Sequence, residues 1–262
     1  MATQRKEQHY IFSPHDHAGN LFDNAFGMSS HRMGKGKNAI KPVFKNHIQR
    51  YRFNKLANAK LKQLGKRTNE NQHAYDAAEF LRSRSTFGNA RFNFAFTKVS
   101  NPRVYIQGHG GPGNRSIWSD SENFDNVTAK KVAKMLHERL LSNFSEVRAN
   151  SCYSGTQKVM REMDYDGRST HLHQHFIEGT VAKHHAGNWA DTFAGSLDAE
   201  LHALSKARRN RVAGYMGPTS KHVEDVFARA SNGQLRKERH FAAWSEDTKP
   251  YRRKDMRRYG TD

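Results

Sequence analysis

The chain has 262 residues, with 44 Lys and Arg against 25 Asp and Glu, a formal charge of +19, and only 35% apolar residues. That length fits one large domain with extensions, and a charge this large draws polyanions: nucleic acid, anionic lipid or a polyphosphate. The single cysteine excludes an intrachain disulfide and any zinc site built from several thiolates.

Residues 1–40, rich in His, Gly, Ser and Asn, read as a weakly structured polar leader without the apolar centre of a secretory signal. Residues 41–90 read as a basic helical extension. Phe44, Ile48, Tyr51, Leu56, Ala59 and Leu64 form an interrupted apolar stripe over 42–66, and Ala74, Ala77, Ala78 and Leu81 recur at helical spacing over 72–84.

The period then changes. Phe92, Phe94 and Phe96 alternate with Asn93 and Ala95 as in a half-buried strand. Asn101-Pro102 marks a turn, and Arg103–Gln107 reads as a short buried strand running into Gly108-His109-Gly110-Gly111-Pro112-Gly113. A polar loop is expected over 114–126. An amphipathic helix follows over 128–143, its apolar face made by Val132, Met135, Leu136 and Leu140. The strand Glu146–Asn150 delivers Ser151-Cys152-Tyr153-Ser154-Gly155, with a helix from about Thr156.

Residues 161–188 are a polar, histidine-rich insertion. A helix over 189–207 carries Phe193, Leu197, Leu201 and Leu204. A strand over 211–216 ends at Gly217-Pro218, a helix is expected over 223–230, and 234–262 reads as a basic tail with little core potential. No apolar run approaches the ~20 residues of a membrane span. The expectation is a soluble protein, cytoplasmic or exported by a non-classical route.

Strand, glycine-rich turn, helix, strand, small-residue turn and helix, in that order, make a βαβ unit with parallel strands. In open α/β sheets ligands bind beyond the C-terminal ends of the strands, where His109 and Cys152 stand. A free thiol has a pKa of about 8.5 and needs a base to become a useful nucleophile. An imidazole in reach takes that proton and later hands it to a leaving amine. The backbone N–H groups of Gly110 and Cys152 suit an oxyanion hole, and a helix start after Cys152 favours the thiolate.

The segment Val104-Tyr105-Ile106-Gln107-Gly108-His109-Gly110 resembles the strand-then-His-Gly motif of the caspase-like cysteine peptidases. Asn150-Ser151-Cys152-Tyr153-Ser154-Gly155 resembles their second motif in its metacaspase form. The Gly-Pro-Gly after His109 and the helix before the second strand are similar to the self-processing cysteine protease domains of large bacterial toxins. The resemblance spans residues 92–218. It implies a caspase-like three-layer αβα sandwich over 91–233 with a mainly parallel sheet, and a cysteine endopeptidase cleaving a protein substrate or itself. A secreted bacterial effector would fit it. Cys152 would be the nucleophile and His109 the general base and acid. Where metacaspases carry an acidic residue just before the nucleophile region, this chain has Asn150-Ser151. By resemblance the strand over 211–216 lines the first specificity pocket, where Asn150, Tyr215 and Met216 would meet substrate and make an apolar or mixed surface. Asp164 and Asp166 read as loop-surface acids.

In the toxin domains inositol hexakisphosphate activates the enzyme by binding a basic surface. The resemblance therefore implies that polyphosphate as an allosteric ligand, with no cofactor required. The competing reading is a nucleic-acid or polyanion binding module using Arg52, Lys55, Lys60, Arg252, Arg253, Arg257 and Arg258 on phosphates, although no recognised nucleic-acid motif accompanies them. A third is a caspase-like interaction scaffold without activity, against which the intact His109-Gly110 and Cys152 argue. His171, His173 and His175, with His184-His185 nearby, suggest a metal site. A polar exposed insertion accounts for them better, and no His-Glu-x-x-His is present, so no metal is expected.

Overall fold

The structure is a computed structural model that describes residues 9–86, 103–111, 113–119, 125–138, 146–151, 154, 189–204, 211–215, 227–229, 235–237 and 256–258. The class is α/β, with a mainly parallel sheet flanked by helices. The chain divides into two compact units, Met1–Tyr105 with Lys221–Glu238 and Ile106–Ser220 with Arg239–Asp262, so the division falls inside one strand.

The first unit starts where the sequence predicts a loose leader, and this corrects that reading. Strand β1 (His9–Phe12) is buried at every residue and lies between β2 (Lys41–Val43) and β3 (Arg103–Gln107). It pairs with β2 in parallel, Ile11 opposite Pro42. Helix α1 (Gly19–Met33) makes the crossover such a pair needs. Pro42 is tolerated because β2 stands at the edge of this order, where a missing N–H costs no ladder bond.

Helix α2 (His47–Leu64) begins at Asn46, whose side chain accepts from the Gln49 N–H at 2.8 Å. The Gln49 side chain in turn accepts from the Lys45 N–H at 2.7 Å, so the two satisfy otherwise unpaired donors at the helix start. Gly65, at φ +67°, ends the helix in a conformation that favours glycine. Helix α3 (Gln72–Thr86) packs on α1 and α2. Ala57, Ala77 and Ala78 are fully buried, and their small side chains let the helix backbones approach. Phe53 is the centre of an aromatic cluster, edge-on to Phe22 at 5.3 Å and to Phe44 at 5.1 Å, with Phe26 stacked on Phe22.

In the second unit the strand order is β3, β6 (Glu146–Asn150), β7 (Arg211–Tyr215), β10 (Met256–Arg258). Strands β6 and β7 are parallel, Ala149 opposite Gly214. Helix α4 (Ala129–Glu138) lies between β3 and β6 in the chain, and α5 (Phe193–Leu204) between β6 and β7. The two helices pack on each other. Val132, Ala133 and Leu136 of α4 are buried while Lys130, Lys131 and Lys134 are exposed, as the periodicity predicts.

Three expectations need correction. The polar loop over 114–126 contains β4 (Ser116–Trp118), which forms a hairpin with β5 (Asn126–Thr128). The helix expected over 223–230 contains β8 (Phe227–Arg229), paired with β9 (Leu235–Lys237). The tail contributes β10, antiparallel to β7. Each of these strands is three residues long, too short for a two-residue period to be read. The strand expected at Phe92, Phe94 and Phe96, the helix from Thr156 and the insertion over 161–188 lie outside the described residues.

Candidate functional site

The glycine run after β3 is built for a sharp return. The His109 N–H donates to the Trp118 carbonyl at 2.7 Å, and the Trp118 N–H donates back to the His109 carbonyl at 3.0 Å. The backbone of the proposed base is thus clamped from the β4 side. A Cβ on Gly108 would sit 2.9 Å from Ile117 Cδ1 and 3.0 Å from Ile117 Cβ, so the buried Ile117 seats against bare backbone. The return is completed by the Asn114 N–H donating to the Gly111 carbonyl, with Gly113 at φ +68°. Gly108→Ala should therefore cost about 1–3 kcal/mol through a forced shift of Ile117, read as a lowered denaturant midpoint. No loss would mean that Ile117 does not press on Gly108 in this way.

The end of β6 is fixed by a serine. Ser154 is buried, its hydroxyl donates to the Ala149 carbonyl at 2.8 Å, and its own carbonyl accepts from the Ala194 N–H at 2.8 Å. The turn after β6 is thereby tied both to the strand it leaves and to the start of α5. Thr192 caps α5, accepting from the Gly195 N–H at 3.0 Å. Asp191, in the 3-10 turn Trp189–Asp191, pairs with Arg115 beside the hairpin. The Arg115 carbonyl accepts from the Ala129 N–H at the start of α4. These contacts join the loops on which the site depends, and sequence reasoning missed all of them.

His109 and Gly110 are partly exposed, and Asn150 is half-buried at the last position of β6. One step beyond the Ala149–Gly214 pairing brings Asn150 level with Tyr215 at the end of β7, so these two members of the expected substrate surface share a sheet position. Cys152 and Met216 lie outside the described residues, as does the side chain of Tyr215. So do His171, His173, His175, His184, His185, Asp164 and Asp166. Among the described residues no cluster of His, Cys, Asp and Glu could hold a metal, and no helix is long and apolar enough to cross a membrane.

Two further polar groups stand at the same strand ends. Gln107, the last residue of β3, is 3% exposed, and its Nε2 has no hydrogen-bond partner among the described residues. Ser151, directly after β6, is 1% exposed, and its hydroxyl is likewise unpartnered. A buried donor without an acceptor costs about 1–3 kcal/mol. Gln107→Met, which keeps the shape and removes the donor, should raise the thermal midpoint. A lowered midpoint would show that the amide is already satisfied. The sequence did carry a signal here: a glutamine closing the otherwise apolar run Val104-Tyr105-Ile106.

Of the cations expected on phosphates, Arg52 and Lys55 are exposed on α2, and Lys60 is half-buried with its ammonium 5.0 Å from the Phe26 ring centre. Arg252 and Arg253 lie outside the described residues, as do the side chains of Arg257 and Arg258. Another cationic locus was not anticipated. Lys41 is half-buried with its ammonium 5.9 Å from the Tyr10 ring centre; burial, and then the charge of Arg84, lower its pKa below the ordinary lysine value. Burial pushes the Tyr10 phenol up to about 12 against the opposing pull of Arg84. Compared with protein-family models, curated proteins and solved structures, the chain matches none.

Proposed function

We propose that the chain is a cysteine endopeptidase of the caspase-like class, with Cys152 as nucleophile and His109 as general base and acid. One observation carries the reading. Strands β3 and β6 are neighbours, β3 ends at Gln107 and β6 at Asn150, and His109 and Cys152 each follow two residues beyond their strand. In this reading β3 and β6 run parallel, and the equal offset would bring thiol and imidazole to one edge of the sheet. A three-layer sandwich is the architecture that would suit it.

The chemistry follows from the residues. His109 takes the thiol proton, and the Cys152 sulfur attacks the scissile carbonyl carbon. The oxygen then carries negative charge, which the N–H groups of Gly110 and Cys152 stabilise. Collapse of this intermediate breaks the C–N bond, and the His109 proton leaves with the amine. Water, deprotonated by His109, then hydrolyses the thioester and frees the acid and the thiol. Asn150, Tyr215 and Met216 would line the first pocket, and the substrate would be another protein or the chain itself. The test is a panel of thiol-reactive peptide electrophiles read by intact mass: a single adduct on Cys152, with a preference among peptides, supports the reading.

A further inference from the structure

Helix α2 contains Arg50, Arg52, Lys55, Lys60 and Lys62 and no carboxylate in 18 residues, with Lys66 and Arg67 directly after it. Its inner face is committed to the core through Gln49, Phe53 and Ala57. Its outer face is not purely polar. Ile48 is 45% exposed, Tyr51 60% and Leu56 36%, and only one other large hydrophobic side chain among the described residues, Leu204, is exposed to this degree. Positions 48, 51, 52, 55, 56, 59 and 62 recur at the three- and four-residue spacing that places them on one side of a helix. The Lys55 ammonium lies 4.8 Å from the Tyr51 ring centre, so cation and ring share one surface. Lys55, Lys62 and Lys66 are exposed, and none is ion-paired with a carboxylate among the described residues.

A face that interleaves cations with exposed aliphatic and aromatic side chains needs a partner that is negative and apolar at once. A second copy of a chain with charge +19 is disfavoured by repulsion. Nucleic acid would use the cations and the Tyr51 ring but leaves the exposure of Ile48 and Leu56 without a role. An anionic bilayer surface uses all three kinds of group: phosphate and serine headgroups meet the Lys and Arg ends, Tyr51 sits at headgroup level, and the aliphatic chains reach the acyl boundary. The geometry points to the outer face of α2 as a docking surface for an anionic phospholipid membrane. Because the inner half of the helix is held by the core, only a shallow apolar contact is available, so attachment is reversible and requires negative lipid.

The test is co-flotation of the full chain with vesicles of phosphatidylcholine alone and with 30% phosphatidylserine (roughly that of an anionic leaflet), beside binding to a DNA duplex and an RNA single strand. The chain should float with the anionic vesicles and not with the neutral ones. Lys55→Glu with Lys62→Glu should lower vesicle binding by more than ~30-fold, which the loss of the two lysine charges alone supplies at about tenfold for every 1.4 charges, with the repulsion of the two glutamates added to it. Ile48→Asn with Leu56→Asn should lower it by roughly 5-fold at constant charge and leave nucleic-acid binding unchanged. Thermal midpoints near wild type confirm that these exposed substitutions leave the fold intact, and Ile48→Ser with Leu56→Ser replaces the asparagine pair if they do not. The proposal is overturned if the chain ignores anionic vesicles, if the aliphatic pair is neutral for flotation, or if nucleic acid alone responds to the charge reversal.

Discussion

If Cys152 is the nucleophile proposed above, Cys152→Ala should abolish turnover and leave no adduct with any peptide electrophile, and His109→Ala should come close to doing the same. The expected loss is on the order of 10⁴-fold or more for each, and the double variant is little worse than either single one, because nucleophile and base act as a unit. The reason is the population and timing of the thiolate. With a pKa near 8.5 a free thiol is only a few per cent ionised at neutral pH. Without the imidazole the leaving amine also departs unprotonated. Neither substitution should unfold the protein. His109 is held through its backbone by Trp118, and alanine keeps both of those hydrogen bonds. Thermal midpoints within about 2 °C of wild type are therefore expected. Gln107→Met sharpens the test, since it should raise stability while lowering turnover if the Gln107 amide, without a partner among the described residues, serves substrate. Wild-type activity in Cys152→Ala would remove the nucleophile assignment and, with it, the peptidase reading.

What the sequence made legible was the part governed by strong periodicity. Strand β3, helix α4, strand β6, helix α5 and strand β7 stand close to where their patterns place them, because each carries a clean apolar face or an apolar run between turn residues. Residues 9–40 were misread for a physical reason. Their core is mixed with polar groups that are satisfied by distant partners. His9 is buried against Arg32 and Tyr105, and Ser29 accepts from the Ile40 N–H at 3.1 Å. On composition alone such residues look like a solvated loop. Within the site, the histidine and its strand were legible because they sit on one local pattern. The serine that ties the turn after β6 to α5, and the Arg115–Asp191 pair between hairpin and 3-10 turn, join residues far apart in the chain. No local pattern announces them.

Because the N-terminal region belongs to a core, damage there should be severe, and Phe53→Ala measures it. Phe53 is fully buried in α2 between Phe22 of α1 and Phe44 of the segment before the helix. Truncation removes a ring and leaves a cavity that the neighbouring Ala57, Ala77 and Ala78 are too short to fill, a change that costs about 3–5 kcal/mol. For a chain of this size that corresponds to a fall of roughly 6–20 °C in the melting transition that includes the first unit. The control is two residues away: Tyr51, on the outer face, is 60% exposed, and Tyr51→Ala should stay within about 0.5 kcal/mol. The contrast decides between two pictures of residues 9–40. If they were a loose leader, Phe22 would offer no packing partner and both substitutions would be mild. A core built from β1, α1 and α2 requires the first to be severe and the second to be silent, and differential scanning calorimetry on the two variants separates these outcomes.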